Sequence, residues 1–147
     1  MTVRVRRLEA RDKTAWLALF KDYIAFYKAT VADEVVSSVW TRLMTGATDV
    51  HVAFVAVDAG DAPIGLAHIL FHPSTWSPAH DCYLEDLYVT PLARGLGTGR
   101  RLIEAVYAAA DQKGCRRTYW VTEEDNHRAR GLYDRIATKS VFVQYRR

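Results

Sequence analysis

Cysteine is scarce in this chain. Cys82 and Cys115 are the only two, and they fit no metal-binding or redox spacing. Both read as small core or boundary residues rather than a bridge. Excess charge is scarce too. The formal net charge is +3, and no run of five or more Lys/Arg occurs, so nothing argues for nucleic acid. No N-terminal apolar stretch reads as a signal segment. No apolar run nears the length of a membrane span, so the expected setting is the cytoplasm, away from membranes. His72 and His80 lack metal-ligand spacing, and no metal is expected. There is no internal repeat, low-complexity tract or linker. What is present is apolar: half of the 147 residues are hydrophobic, enough to bury a core in one domain spanning residues 1–147.

Along the chain, residues 3–7 alternate apolar and basic and read as a strand. Asp12 can cap a helix over about 13–28, where Trp16, Leu19, Phe20, Tyr23, Ile24 and Tyr27 recur at helical spacing. Asp33 or Thr30 opens a second helix, closed at Thr45-Gly46. Residues 51–57 and 63–71 read as strands around the turn 58–61, and 72–81 as a loop. A strand over 83–89 stops at Thr90-Pro91, and a helix over about 99–112 ends at Lys113-Gly114. A strand over 117–121, a helix around Ala129–Ala137 and a last strand over 140–145 complete the order β-α-α-β-β-β-α-β-α-β. That order implies an α/β (α+β) fold, a mixed sheet with helices on both faces.

The stretch 83–101, YLEDLYVTPLARGLGTGRR, carries the chemistry. Strand, Gly-rich turn and helix start make a phosphate cradle. Glycine lets a ligand approach the backbone, and the first helical N–H groups face anions without partners. Arg94, Arg100 and Arg101 add positive charge there, or simply solvate the helix start. The two common phosphate fingerprints fail. No Lys-Ser or Lys-Thr follows the glycines, and Arg100 and Leu102 stand where a dinucleotide site needs glycine.

What does stand here is R-x-x-G-x-G, from Arg94 through Gly97 to Gly99, after the strand LEDLYV. It resembles the pyrophosphate motif of the GNAT superfamily of acyl-CoA N-acyltransferases, and the strand resembles that of its polyamine acetyltransferase branch. A second motif, Asn126-x-x-Ala129-x-x-Leu132-Tyr133, follows at a fitting distance. The resemblance is close over residues 82–145 and weaker before. It implies acetyl-CoA as co-substrate and a sheet that splays between the strands at 83–89 and 117–121. The pantetheine arm would pair with backbone groups of Leu87, Tyr88 and Val89, and the pyrophosphate would lie on Arg94, Gly95, Leu96, Gly97, Thr98, Gly99 and Arg100. Asn126 would touch CoA, or cap the helix that follows it.

Acetyl transfer to an amine asks for three things. A primary ammonium, with a pKa near ~10.4, must lose a proton. The oxyanion must be stabilised, by resemblance through a backbone N–H near Tyr88. The leaving thiolate must gain a proton. Glu85 is the candidate base, acting through a water. A structural carboxylate is its plainer reading. Asp86, its rival, should face the other side of the sheet unless a bulge intervenes. Tyr133 is the candidate acid by resemblance, and otherwise a core aromatic. Retention of Glu85, Asn126 and Tyr133 favours an enzyme over a non-catalytic acyl-CoA-binding regulatory domain.

The acceptor is less legible. A polyamine, another small amine or a lysine side chain all suit the chemistry. Glu123, Glu124 and Asp125 either attract a cation or simply suit a helix start. Tyr23, Tyr27 and Trp40 could line the acceptor side, though core packing is the expectation for at least two of them. His72, Trp76 and His80 sit in the loop before the key strand, and His127 follows Asn126. The apolar last strand could pair across a two-fold axis, so a homodimer is expected.

Overall fold

A computed structural model describes residues 2–45 and 50–147. Five strands form one sheet in chain order: β1 (Arg4–Arg7), β2 (His51–Val57), β3 (Pro63–His72), β4 (Asp81–Val89) and β5 (Thr118–Tyr119). β1 to β4 run antiparallel, and β5 joins β4 in parallel. The helices are α1 (Lys13–Phe26), α2 (Asp33–Met44), α3 (Thr98–Lys113) and α4 (His127–Ile136). This is the mixed α/β sheet with helices on both faces that the element order implies.

Two apolar layers hold the sheet. Trp16, Leu19 and Phe20 of α1 and Val36, Val39 and Leu43 of α2 pack with Ala53, Leu66 and Tyr88 on one face. Leu102, Ile103, Val106 and Ala110 of α3 pack with Phe54, Ile69, Cys82 and Leu84 on the other. Burial of this apolar surface is what fixes the strand faces. The β2–β3 turn is held by Asp58, whose Oδ1 accepts the Gly60 and Ala62 amides at 2.9 and 3.0 Å. Gly114 ends α3 in the left-handed conformation, with φ 74°. Cys82 is buried, Cys115 is partly buried, and both are free thiols, as small core and boundary residues should be.

Two irregularities in β4 position the site. His68 of β3 stands opposite Asp86, but the next residue, Ile69, stands opposite Leu84. Glu85 is therefore an extra, unpaired residue: a β-bulge. The bulge reverses the alternation, so Cys82 and Leu84 meet α3 while Tyr88 meets α1. Secondly, pairing between β4 and β5 covers only Cys82–Thr118 and Tyr83–Tyr119. Beyond it the sheet splays, and residues 85–89 of β4 keep only β3 as neighbour. At the paired end, Arg116 grips the buried Asp81 by donating from Nε and Nη2, at 3.0 and 2.7 Å.

Several expectations need correction. No strand forms over 140–145. Val141, Phe142, Val143 and Tyr145 are exposed, because β5, only two residues long, is too short an edge to receive them. β5 spans two residues rather than five. Asp12 does not cap α1. Its carboxylate is held by Arg6 at 2.8 and 2.9 Å and accepts the Glu9 amide. α1 ends at Phe26, before Lys28 turns to φ 53°, and α2 starts at Asp33 rather than Thr30. Gly46 lies outside the described residues.

Candidate active site

The Gly-rich turn leaves β4 through Pro91 and enters α3 at Gly97. Gly97 has φ 76°, a left-handed conformation that side chains resist, and a Cβ there would meet nothing within 4 Å. The backbone is thus open to a ligand on that side. The first helical bond runs from the Arg101 amide to the Gly97 carbonyl, at 3.0 Å. The amides before it sit at the unpaired, positive end of the helix. Thr98 braces the turn: it is buried, and its hydroxyl donates to the Ala93 carbonyl at 3.2 Å. Only its backbone is left for a ligand. Arg94 donates from Nε to the Val89 carbonyl at 3.0 Å and lies over the Tyr88 and Phe26 rings. Gly95 and Leu96 are exposed, and exposed Arg100 pairs with Glu104.

The splay beside this turn is a narrow gap of about 20 Å³, lined by Leu84, Glu85 and Leu87 of β4, Tyr23 of α1 and Tyr27 just after it, Trp120, Val121 and Thr122 after β5, and Tyr133 of α4. Glu85 and Tyr133, forty-eight residues apart in the sequence, therefore share one cleft. Tyr88 turns its ring into the α1 layer and does not line the gap. Val89 packs toward the α3 layer.

Burial controls the titration here. Glu85 reaches solvent, yet surrounding protein pushes its pKa up, and the charge of Asp86 adds to this. Arg42 pulls the other way. The Tyr133 hydroxyl is pushed up to about 12, by burial first and then by Tyr27. Its ring meets Trp120 edge-on at 5.3 Å. Tyr23 is raised well above the usual range by burial and then by Asp86. Tyr133 and Tyr23 both stay protonated at neutral pH.

Asn126 precedes α4 but makes no side-chain cap. Its Nδ2 donates instead to Thr122, at 3.3 Å, at the wall of the gap. Glu123, Glu124 and Asp125 are exposed, as is His127. Of the three aromatics from the first helices, Tyr23 and Tyr27 line the gap, whereas Trp40 packs on Trp16 at 5.1 Å. Tyr23 also packs against the α1–α2 core layer, as Trp40 does, so core packing holds for two of the three, and Tyr23 and Tyr27 face the cleft from one turn apart. His72 bonds Tyr119 and the Pro73 carbonyl, and Trp76 is exposed. Neither they nor His80 line the gap.

Sequence reasoning missed Trp120 and Val121, which a strand over 117–121 would have kept in the sheet, and Thr122 just after them. It also missed a buried chain from Trp16 through His68 to Asp86. The signal was present: His68 is a lone polar residue inside the apolar run IGLAHILF, and a buried polar group needs partners.

The fold is that of solved acetyltransferases. AAC(6')-Iy, in complex with the bisubstrate analogue CoA-S-monomethyl-acetylneamine, matches with a TM-score of 0.79 at 19% identity over 99% of each chain. A Trypanosoma brucei acetyltransferase matches at 0.76 and 21% identity, over 99% of this chain and 98% of the other. In sequence, the Acetyltransferase (GNAT) family model matches residues 12–137. The chain is 40% identical over 144 residues to the D-amino-acid N-acetyltransferase HPA3 of Saccharomyces cerevisiae, covering 97% of this chain and 89% of that one. It is 34% identical over 82 residues to the thialysine N-epsilon-acetyltransferase of Bos taurus, 56% of this chain and 48% of that one. The chain belongs to the GNAT family. It is an acetyl-CoA-dependent N-acetyltransferase of amines.

Proposed function

We propose that this enzyme acetylates the primary amine of a small molecule by direct attack on acetyl-CoA in a ternary complex. The observation that carries the reading is that Glu85, Leu87 and Tyr133 line one gap beside the Gly-rich turn. In this reading the pyrophosphate rests on backbone amides of 94–100. The pantetheine arm runs along the free side of Leu87, Tyr88 and Val89, and Asn126 contacts it from the opposite wall. Glu85, whose raised pKa brings it closer to its task, takes the amine's proton through a water. The amine nitrogen then attacks the thioester carbon, and a β4 amide near Tyr88 receives the oxyanion. As the C–S bond breaks, Tyr133 gives its proton to the thiolate. The second amine proton restores Tyr133.

The acceptor side carries Glu85, Asp86, Tyr23 and Tyr27, a combination of carboxylates and ring faces suited to an ammonium. The names of the relatives, a D-amino-acid and a thialysine N-acetyltransferase, favour a free amino acid or a similar small amine over a protein lysine. The test is CoA release from acetyl-CoA with D- and L-amino acids, thialysine, short diamines, spermidine and a lysine-rich peptide. Faster release with amino acids supports the reading. Release with the peptide alone defeats it.

The enzyme works in the cytoplasm, on this reading, and as a homodimer. Exposed Val141, Phe142, Val143 and Tyr145 need a cover, and the outer side of β5 has no strand beside it. A second copy supplies both. Deleting residues 139–147 should then convert a dimer to a monomer by light scattering. A wild-type monomer would end this part of the proposal.

A further inference from the structure

The buried chain behind Asp86 has no role in the reaction as drawn so far. Trp16 of α1 and His68 of β3 are each 1% exposed. The indole Nε1 donates to Nε2 of His68 at 2.9 Å, and Nδ1 of His68 lies 2.9 Å from Oδ2 of Asp86. An indole can only donate, so Nε2 must be the bare acceptor. The imidazole proton then sits on Nδ1 and is donated to Asp86. Hydrogen-bond logic thus assigns a neutral His68. A second proton on Nε2 would set two N–H groups against each other in a fully buried site, leaving one unsatisfied. The contact between His68 and Asp86 is a hydrogen bond to an anion, not an ion pair.

The remaining groups around Asp86 do not cancel its charge. Tyr83 and Glu85 stand on its own strand, and Tyr23 and Tyr27 face it from α1. His51 of β2 is kept neutral by burial, with Arg42 adding to this. Arg42 of α2 acts on Glu85 and His51. Asp86 is held in place by His68, next to the bulged Glu85.

We propose that Trp16 and His68 are positioning residues for acetyl transfer: the chain Trp16–His68–Asp86 keeps Asp86 a fixed, un-neutralised anion beside Glu85, so that the amine's proton passes to Glu85. This rests on the reading of Glu85 as base. Asp86 keeps its charge throughout, and Glu85 later returns the proton to solvent. Trp16 acts by denying His68 a second proton. His68 acts by holding Asp86 with a single N–H.

The test compares His68→Leu, His68→Asn, Trp16→Phe and Glu85→Gln in the full chain, with kcat, both KM values and the thermal midpoint. His68→Leu should lower kcat about tenfold or more, below the ~10²–10⁴ of losing a base outright, with the acetyl-CoA KM unchanged. His68→Asn keeps a donor near the Nδ1 position and should recover most of the loss. Trp16→Phe frees Nε2 to take a second proton, so its kcat should match wild type in alkali and fall behind in acid. A merely structural role would give a constant ratio across pH. Wild-type kcat in His68→Leu, equal damage in His68→Asn, or a flat ratio for Trp16→Phe would each overturn the proposal. If His68→Leu fails to fold, the Trp16→Phe profile decides. Full activity in Glu85→Gln would instead remove the base assignment on which the proposal rests.

Discussion

The two ends of β4 are built for different purposes. At its start, Cys82 and Tyr83 are paired on both sides, to Phe71 and Leu70 of β3 and to Thr118 and Tyr119 of β5. Asp81 is locked by Arg116, and the Cys82 amide bonds the Arg117 carbonyl at 2.9 Å. At its far end, residues 85–89 have β3 on one side and a gap on the other. Backbone groups rarely go unpaired at a strand that a protein has finished using for structure. The closed end gives the strand its rigidity, and the open end presents a row of backbone groups, a carboxylate and a turn toward one cleft. Rigid placement on a strand is what a reaction needing a well-aimed base and acid requires.

Breaking the open end should hurt binding and chemistry while leaving the fold intact. The largest effect is expected from Gly97→Arg. A Cβ has room there, so the fold survives, but the left-handed backbone costs about 1–2 kcal/mol and the side chain fills the cradle. Acetyl-CoA binding should disappear by calorimetry while circular dichroism stays native. Retained binding would remove the turn as the phosphate site. Next comes Tyr133→Phe, which takes away one hydroxyl and little volume. kcat should fall about a hundredfold or more, with acetyl-CoA affinity nearly unchanged. Unaltered turnover would return Tyr133 to the core.

Breaking the closed end should do the reverse. Arg116→Met leaves Asp81 buried without its bidentate partner. The thermal midpoint should drop while the affinity for acetyl-CoA holds. Arg116 keeps the Asp81 carboxyl below the usual range, so its contribution is complete above the unfolded pKa of about 3.9 and is lost as pH falls through the lower folded value. The gap between wild-type and variant midpoints should therefore close in acid. A gap constant from neutral to acid would contradict this.

The same contrast explains what the sequence made legible. Arg94, Gly97 and Gly99 could be read because a tight turn against an anion admits few residues, and φ 76° at Gly97 is the reason. The strand and helix order could be read because two opposed apolar layers impose clear periods. The bulge at Glu85 could not, since one extra residue in a strand leaves no compositional trace. It decided the parity of Glu85 and Asp86. Residues 140–145 misled for a related reason: apolar alternation marks a segment able to join a sheet, but the open edge at β5 is only two residues long. His68 carried a signal, a polar residue in an apolar strand, whose partners lay fifty-two residues away at Trp16 and eighteen away at Asp86.

The pH dependence of kcat for Glu85→Gln against wild type, with amine and acetyl-CoA both saturating, tests the central claim most directly. Glu85 must be ionised to accept a proton, and its pKa is raised. Wild-type kcat should therefore rise with pH through a limb above the ordinary glutamate value of about 4.3, and Glu85→Gln should be slow and lack that limb. A variant with wild-type kcat and the same acidic limb would show that the open end of β4 does not supply the base.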